Sequence, residues 1–137
     1  MEYRIIDANI NRLNEGLRVI EDILRFYFND KKYGKSLKKI RHKIKKFTDK
    51  NYFELVKHRD VINDKNKYLN PEEEFSRETL KDLFIANFKR IEESCRVLEE
   101  VLKIENKGYS ELFKEIRFEI YQIEKNIVEK YKKILTV

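Results

Sequence analysis

The polar residues with the clearest capacity for chemistry occur twice in this chain at the same spacing. A segment from Ala8 to Glu21 recurs in register from Ala86 to Glu99. The repeated polar residues are Asn9, Arg12, Glu15, Arg18 and Glu21 in the first copy, and Asn87, Arg90, Glu93, Arg96 and Glu99 in the second. A hydrophobic core alone would retain apolar residues instead, so the repeat indicates a shared chemical role.

The arginines of the repeat indicate a binding site for phosphate. On a helical wheel, several polar side chains fall inside or at the edge of an apolar arc. Those expected to point inward or along a seam between helices are Asn9, Asn87, Arg12, Arg90, Arg41 and Arg117. Buried guanidinium groups are costly unless they are paired, and Glu15 and Glu93 are the expected partners for some of them. The remaining donors match the oxygens of a phosphate group, with a structural ion-pair network as the alternative interpretation.

Gly16 lies one turn from Arg12 on the same apolar arc, and the second copy has Ser94 at that position. Glycine inside a helix costs about 1 kcal/mol relative to alanine, so a reason for its presence is expected. Either it leaves a notch for a ligand or it lets two helices pack closely.

The middle of the chain adds one arginine and two carboxylates. Arg59 and Asp60 are followed by Asp64, and two carboxylates can hold Mg²⁺ beside phosphate groups. His42 follows Arg41, where the second copy has Phe118. It is interpreted as a surface or interface histidine, with phosphate contact as the alternative.

Four long helices are expected to position these residues. Apolar spacing predicts helices over about 4 to 28, 34 to 47, 77 to 104 and 109 to 135, with a break near 49 to 51 and a short helix through 53 to 56. The loop from 58 to 76, which contains Asn70-Pro71, has no periodicity and exceeds the usual length of a bundle connection. The prediction is an all-α, pseudo-twofold four-helix bundle of two duplicated hairpins, about 4–57 and 77–135, within a single domain of residues 1–137.

Composition agrees with this class. The chain has 137 residues, 3 glycines and 1 proline, too few turn formers for a sheet-rich fold. Its net charge of +6 is interpreted as a solvated lysine-rich face, with a nucleic-acid or membrane surface as the alternative. The single cysteine, Cys95, falls on a core-facing position and is expected to act as a small apolar residue. No apolar run is long enough to span a membrane, so a soluble, cytoplasmic protein is expected.

Several motifs together resemble one known family. They are Ile6-Asp7-Ala8-Asn9, Asn11-Arg12, Glu15-Gly16-Leu17-Arg18-Val19, Ile40-Arg41-His42, Arg59-Asp60 with Asp64, Ala86-Asn87-Phe88-Lys89-Arg90 with Glu93, and Arg117 with Tyr121 and Glu124-Lys125. These motifs cover nearly the whole chain. The family they resemble is the small all-helical hydroxymethylpyrimidine phosphate kinase of thiamine biosynthesis, which often forms the N-terminal domain of bacterial thiamine-phosphate synthases.

The resemblance implies ATP-dependent phosphorylation of hydroxymethylpyrimidine phosphate to the diphosphate, with ATP and Mg²⁺ as cofactors. It implies catalytic roles for Asp60 and Arg59 and a magnesium site at Asp60 and Asp64. The implied substrate- and phosphate-binding residues are Asn9, Arg12, Glu15, Arg18, Arg41, His42, Asn87, Arg90, Glu93, Arg96 and Arg117. The loop departs from the expected Arg-Asp-x-x-Gly-Asp-Val-Gly pattern, because Asn63 and Asn66 replace its two glycines.

Two other functions stay open at this point. The first is a non-catalytic domain that binds a phosphorylated metabolite or docks on a thiamine-phosphate synthase. The second is a basic nucleic-acid-binding bundle, which is the weakest because aromatic residues are sparse among the clustered lysines. The expected partners are a small phosphorylated pyrimidine, the synthase and a second copy in a homodimer, without a membrane. Since the two copies differ at Gly16/Ser94 and His42/Phe118, one productive site is expected, on the side that the long loop covers.

Overall fold

Four helices make up the fold, as seen in a computed structural model that describes residues 2–67 and 76–136. The helices are α1 (Tyr3–Phe26), α2 (Lys31–Lys57), α3 (Leu80–Leu102) and α4 (Lys107–Leu135). Throughout these two described ranges the regular structure is helical, without a β-strand. The predicted all-α four-helix bundle is therefore confirmed.

The core is contributed by all four helices. Helix α1 packs against α2 on one side and α3 on another, while α4 packs mainly against α3 and only thinly against α2. Leu17, Ile44, Leu98 and Phe113, one from each helix, are all completely buried. Each buried side chain of this size contributes roughly 1.5–3 kcal/mol, which makes this core the main stabilising feature.

Close packing of α1 against α3 explains Gly16. A Cβ atom at this position would lie 2.7 Å from Cγ1 of Ile91 and 3.3 Å from the backbone carbonyl oxygen of Asn87. Ile91 is fully buried, so it has little room to move. Of the two interpretations of this glycine, the structure favours close helix packing over a ligand notch.

Side-chain caps begin three of the helices. Asp30 accepts a hydrogen bond from the Tyr33 amide at the start of α2, and Asn106 caps α4 through the Tyr109 amide. Thr79 and Asp82 form a reciprocal capping box at the start of α3. These caps place the helix starts at residues 31, 107 and 80, where the spacing of apolar residues predicted about 34, 109 and 77.

The predicted break in α2 near residues 49 to 51 is wrong, because the helix continues to Lys57. Asn51 donates a side-chain hydrogen bond to the carbonyl oxygen of Phe47, four residues earlier, so it is satisfied within the helix. Leu55 is buried on the same face and extends the contact with the core. Burial here outweighs the weak helix propensity of a polar stretch.

The predicted loop of residues 58–76 is seen in part. Residues 58–67 and 76–79 are non-helical apart from the turns they contain, while Asn70-Pro71 lies outside the described residues. None of the helices described carries an apolar stretch sufficient to cross a membrane.

Candidate functional site

Two equivalent ion pairs join the helices of each hairpin. Arg41 faces Glu21, with Nη2 3.0 Å from Oε1 and Nε 2.5 Å from Oε2. Arg117 faces Glu99 at the matching position, with Nη2 and Nε at 3.0 and 3.2 Å from a single oxygen, Oε2. The four residues occupy matching positions of the repeat. Burial lowers the pKa of Arg117, but hydrogen bonds with Tyr121 and Glu99 outweigh it and leave that pKa raised.

The prediction that Glu15 and Glu93 pair with the inward arginines is therefore wrong. Glu15 and Glu93 are exposed, and Glu21 and Glu99 hold the guanidinium groups in their place. The reason is the antiparallel arrangement of each hairpin. The C-terminal half of α1 faces the N-terminal half of α2, which brings Glu21 opposite Arg41.

The expectation of four inward arginines is also wrong. Arg41 and Arg117 lie in the seams, but Arg12 and Arg90 are exposed to solvent. On the helical wheel both lie at the edge of the apolar arc. From there a long cationic side chain can extend its charged end into water. Asn9 is buried as expected, and its amide donates to the Ile5 carbonyl oxygen at 2.8 Å. Asn87 is satisfied the same way, through the Leu83 carbonyl oxygen at 2.9 Å.

Two adjoining cavities lie between α1 and α2 of the first hairpin. One has about 580 Å³ and lies near the α1–α2 turn, the other has about 390 Å³, and both are lined by Arg18, Lys38 and Arg41. The larger cavity also has carboxylates in its lining, among them Glu21 and Asp22. We call the smaller cavity the α1–α2 groove. Its lining residues are Asn14, Arg18, Lys38, Arg41, His42, Lys45 and Thr48.

The α1–α2 groove gathers three of the predicted phosphate-binding residues, namely Arg18, Arg41 and His42. Arg18 and Lys38 make no ion pair within the described parts of the chain, whereas Glu21 orients Arg41. Lys38 was missed as a site residue, although its position three residues before Arg41 places it on the same helical face. The described lining residues come from α1 and α2, and none comes from the loop that was expected to cover the site.

Arg59 anchors the start of the loop to α1. Its Nε and Nη2 donate to the two carboxylate oxygens of Asp7, both at 2.7 Å. This hydrogen bonding is the main reason that the pKa of Arg59 is raised. Asp7 was missed as a functional position because it lies outside the apolar arc of α1 on a helical wheel. Its burial and its pairing with Arg59 depend on the loop that follows α2.

Asp60 and Asp64 line a small cavity of about 190 Å³ next to Arg59. Asp60 accepts hydrogen bonds from the backbone and side chain of Asn63, at 3.1 and 2.8 Å, which hold its pKa below the usual value. The described residues include no cluster of three or more histidine, cysteine or acidic side chains able to hold a metal ion. Since Mg²⁺ often takes only one or two carboxylates together with ligand phosphates, its binding here stays a prediction, as does that of ATP.

The repeated residues of the second hairpin make different contacts from those of the first. Arg96 pairs with Glu99 at 3.2 Å and with Glu100 at 2.9 Å, so its charge is already neutralised. Glu92 is buried, and the repeat did not predict a role for it because its counterpart in the first copy is the neutral Asn14. Cys95 is fully buried, and burial raises the pKa of its thiol to about 12, as suits a core residue.

Comparison with known proteins gives a consistent picture. A model of the ThiD2 family matches residues 4–126. The thiamine-phosphate synthase of Prochlorococcus marinus (strain AS9601) is 38% identical over 134 residues, which is 96% of this chain and 37% of that protein. The thiamine-phosphate synthase of Nostoc punctiforme is 36% identical over 126 residues, covering 92% of this chain and 35% of the relative. No solved structure matches.

These findings correct the predicted enzyme activity. The relatives that are 32–38% identical over most of the chain are named thiamine-phosphate synthases rather than kinases. A small all-helical domain does not by itself indicate an ATP-dependent kinase, so the predicted kinase activity is wrong. The predicted link to thiamine-phosphate synthase is confirmed, although the chain spans only about a third of the length of the curated relatives it matches. The match to residues 4–126 and the similarity to these synthases show that the chain belongs to the ThiD2 family.

Proposed function

We propose that this chain is a non-catalytic domain that binds a phosphorylated metabolite and works alongside a thiamine-phosphate synthase. The observation that carries this proposal is the α1–α2 groove. Its lining holds Arg18, Lys38, Arg41 and Lys45 together with His42, and no carboxylate.

The geometry of the groove suits a phosphate group for electrostatic reasons. Arg18 and Lys38 have no internal counter-ion among the described residues, so an incoming anion displaces water and no protein carboxylate. Glu21 faces Nε and Nη2 of Arg41, which leaves Nη1 for a ligand in a fixed orientation. A preset guanidinium loses less side-chain entropy on binding than a mobile one.

The names of the relatives support the choice of ligand class. Relatives of this chain are named thiamine-phosphate synthases, and a phosphorylated pyrimidine is the ligand that we expect. Because the chain matches about a third of each relative, the proposal assigns to it ligand binding and association with the synthase, and not the synthase reaction itself.

The test is ligand binding by calorimetry and thermal shift, with hydroxymethylpyrimidine phosphate and inorganic pyrophosphate as probes. We expect the unfolding temperature to rise by several degrees at saturating ligand, and no ADP to form when ATP and Mg²⁺ are added. Arg18→Gln and Lys38→Gln should each weaken binding by about tenfold or more, because each removes a charge-assisted contact worth about 1.4 kcal/mol or more.

Two matched variants serve as controls. Arg12→Gln and Lys39→Gln remove one positive charge each from the same two helices, outside the groove. Both should bind as the wild type does. Binding that is lost equally in all four variants would indicate attraction by net charge alone and would contradict the assignment of the groove.

A further inference from the structure

The seam between α3 and α4 is the counterpart of the α1–α2 groove. Alignment of the two copies matches three cationic residues of the groove with identical residues in the second hairpin, which are Arg96, Lys114 and Arg117. The other four positions differ. In the second copy they are Glu92, Phe118, Tyr121 and Glu124, where the first has Asn14, His42, Lys45 and Thr48.

Glu92 and Glu124 bring negative charge into the second seam. Lys89 Nζ lies 2.9 Å from Oε1 of Glu92 on its own helix and 3.5 Å from Oε1 of Glu124 across the seam. The Glu92 side chain is only 4% exposed. Burial, together with the neighbouring carboxylate of Glu124, raises the pKa of Glu92 to about 7.

Two of the three cations of the second seam, Arg96 and Arg117, are also paired with carboxylates. Arg117 is paired with Glu99, and its guanidinium carbon lies 4.9 Å from the ring centroid of Phe118 and 5.8 Å from that of Tyr121. Arg18, which corresponds to Arg96 in the first hairpin, has no such pairing within the described residues, as shown above.

We infer that Glu92 and Glu124 close the α3–α4 seam to anions, so that each chain holds its phosphorylated ligand in the α1–α2 groove alone. The inference rests on the proposed function, since it takes the groove to be a phosphate site. Above pH 7, where Glu92 is ionised, the carboxylates at these two positions repel a phosphate and satisfy the neighbouring cation, Lys89. The duplication thus yields one binding seam and one seam joined by its own ion pairs.

An exchange of residues between the copies tests this inference, with inorganic pyrophosphate titrated calorimetrically into each protein at pH 8, where Glu92 is ionised. Wild type should bind one pyrophosphate per chain. Glu92→Asn/Glu124→Thr, which carries the first-copy residues, should bind two. Asn14→Glu/Thr48→Glu, the reverse exchange at partly exposed positions, should bind none.

Net charge is matched by two control variants. Glu111→Gln/Glu115→Gln raises the charge by the same amount as the first exchange, at exposed positions of α4. Lys103→Gln/Lys107→Gln lowers it by the same amount as the second. Both should keep one site at the wild-type affinity.

The possible outcomes distinguish failure of this inference from failure of the proposed function. A folded Glu92→Asn/Glu124→Thr protein that still binds one pyrophosphate would overturn the inference and leave the proposed function intact. Glu92→Gln/Glu124→Gln, which keeps the side-chain shapes, decides the question if the first exchange does not fold. A wild type that binds two pyrophosphates would also overturn the inference, and a wild type that binds none would overturn the proposed function along with it.

Discussion

Glu21 and Glu99 each hold an arginine of the next helix, yet the two arginines face different surroundings. Arg41 borders an open groove with unpaired cations, whereas Arg117 is flanked by Phe118 and Tyr121. Under the proposed function, the same ion pair therefore orients a ligand-binding group in one hairpin and only joins two helices in the other. At the scale of single residues, the neighbours of a side chain decide its role more than its identity does.

Glu92 should make the stability of the protein depend on pH. The pKa of this carboxyl is raised to about 7 in the folded state, above its ordinary value of 4.5. Its stabilising contribution is therefore complete below pH 4.5 and is lost as the pH rises through 7. Glu92→Gln should remove this loss and exceed wild type at pH 8 by up to about 3 kcal/mol in the free energy of unfolding.

Urea unfolding at pH 5, 6, 7 and 8 measures this effect. Glu93→Gln, at the adjacent exposed position, should follow the wild-type curve. Parallel curves for Glu92→Gln and wild type across this range would show that Glu92 titrates normally.

At the scale of helices, two glycines inside helices have opposite roles. Gly16 lies where α1 meets Ile91 of α3, while a Cβ on Gly34 of α2 would meet no atom within 4 Å. Helix propensity favours alanine over glycine by about 1 kcal/mol at either position. Packing decides whether that gain is realised.

Gly16→Ala should therefore destabilise the protein, and Gly34→Ala should stabilise it by about 0.5–1 kcal/mol. The Cβ at Gly16 would crowd a buried isoleucine, and such overpacking costs about 1–3 kcal/mol, which outweighs the gain in propensity. Chemical denaturation of both variants measures the free energy of unfolding. Combining Gly16→Ala with Ile91→Ala should make the glycine substitution favourable, and a stabilising Gly16→Ala on its own would refute the close contact.

At the scale of the whole molecule, Asp30 connects the turn of the first hairpin to the end of the second. It caps α2 through the Tyr33 amide, accepts from Lys130 at 2.8 Å and accepts from the Tyr131 hydroxyl. Burial raises the pKa of Asp30, but these three hydrogen bonds outweigh it and lower that pKa to about 2. The carboxylate thus joins the turn of the first hairpin to the C-terminal part of the second.

Asp30→Asn should lower the free energy of unfolding by about 2 kcal/mol at pH 7. Since the folded pKa of Asp30 is lowered, its contribution is present above pH 3.8 and is lost as the pH falls through about 2. The difference between variant and wild type should therefore shrink between pH 4 and pH 2, as measured by denaturant titrations. Asp49→Asn, at an exposed ion pair with Lys45, should change stability by less than about 0.5 kcal/mol at any pH. An equal loss in both variants would contradict the role given to Asp30.

Helical spacing alone predicted the four helices, the buried Asn9 and Cys95, and the matching positions of the two hairpins. Those features depend on the periodicity of a single helix, which the order of residues determines directly. The repeat and the family resemblance together named Arg18, Arg41 and His42 as candidate phosphate-binding residues, although they could not separate them from Arg12 and Arg90.

The tertiary structure decided which polar residues meet. Helical periodicity assigns a residue to a face, but only the neighbouring helix determines whether the edge of that face is a seam or open to water. For this reason Glu21 and not Glu15 holds Arg41, Arg12 extends into solvent, and Arg59 reaches back to Asp7. The difference between the two seams depends on contacts across helices, at Lys89 and Glu124, that no spacing along one helix could predict.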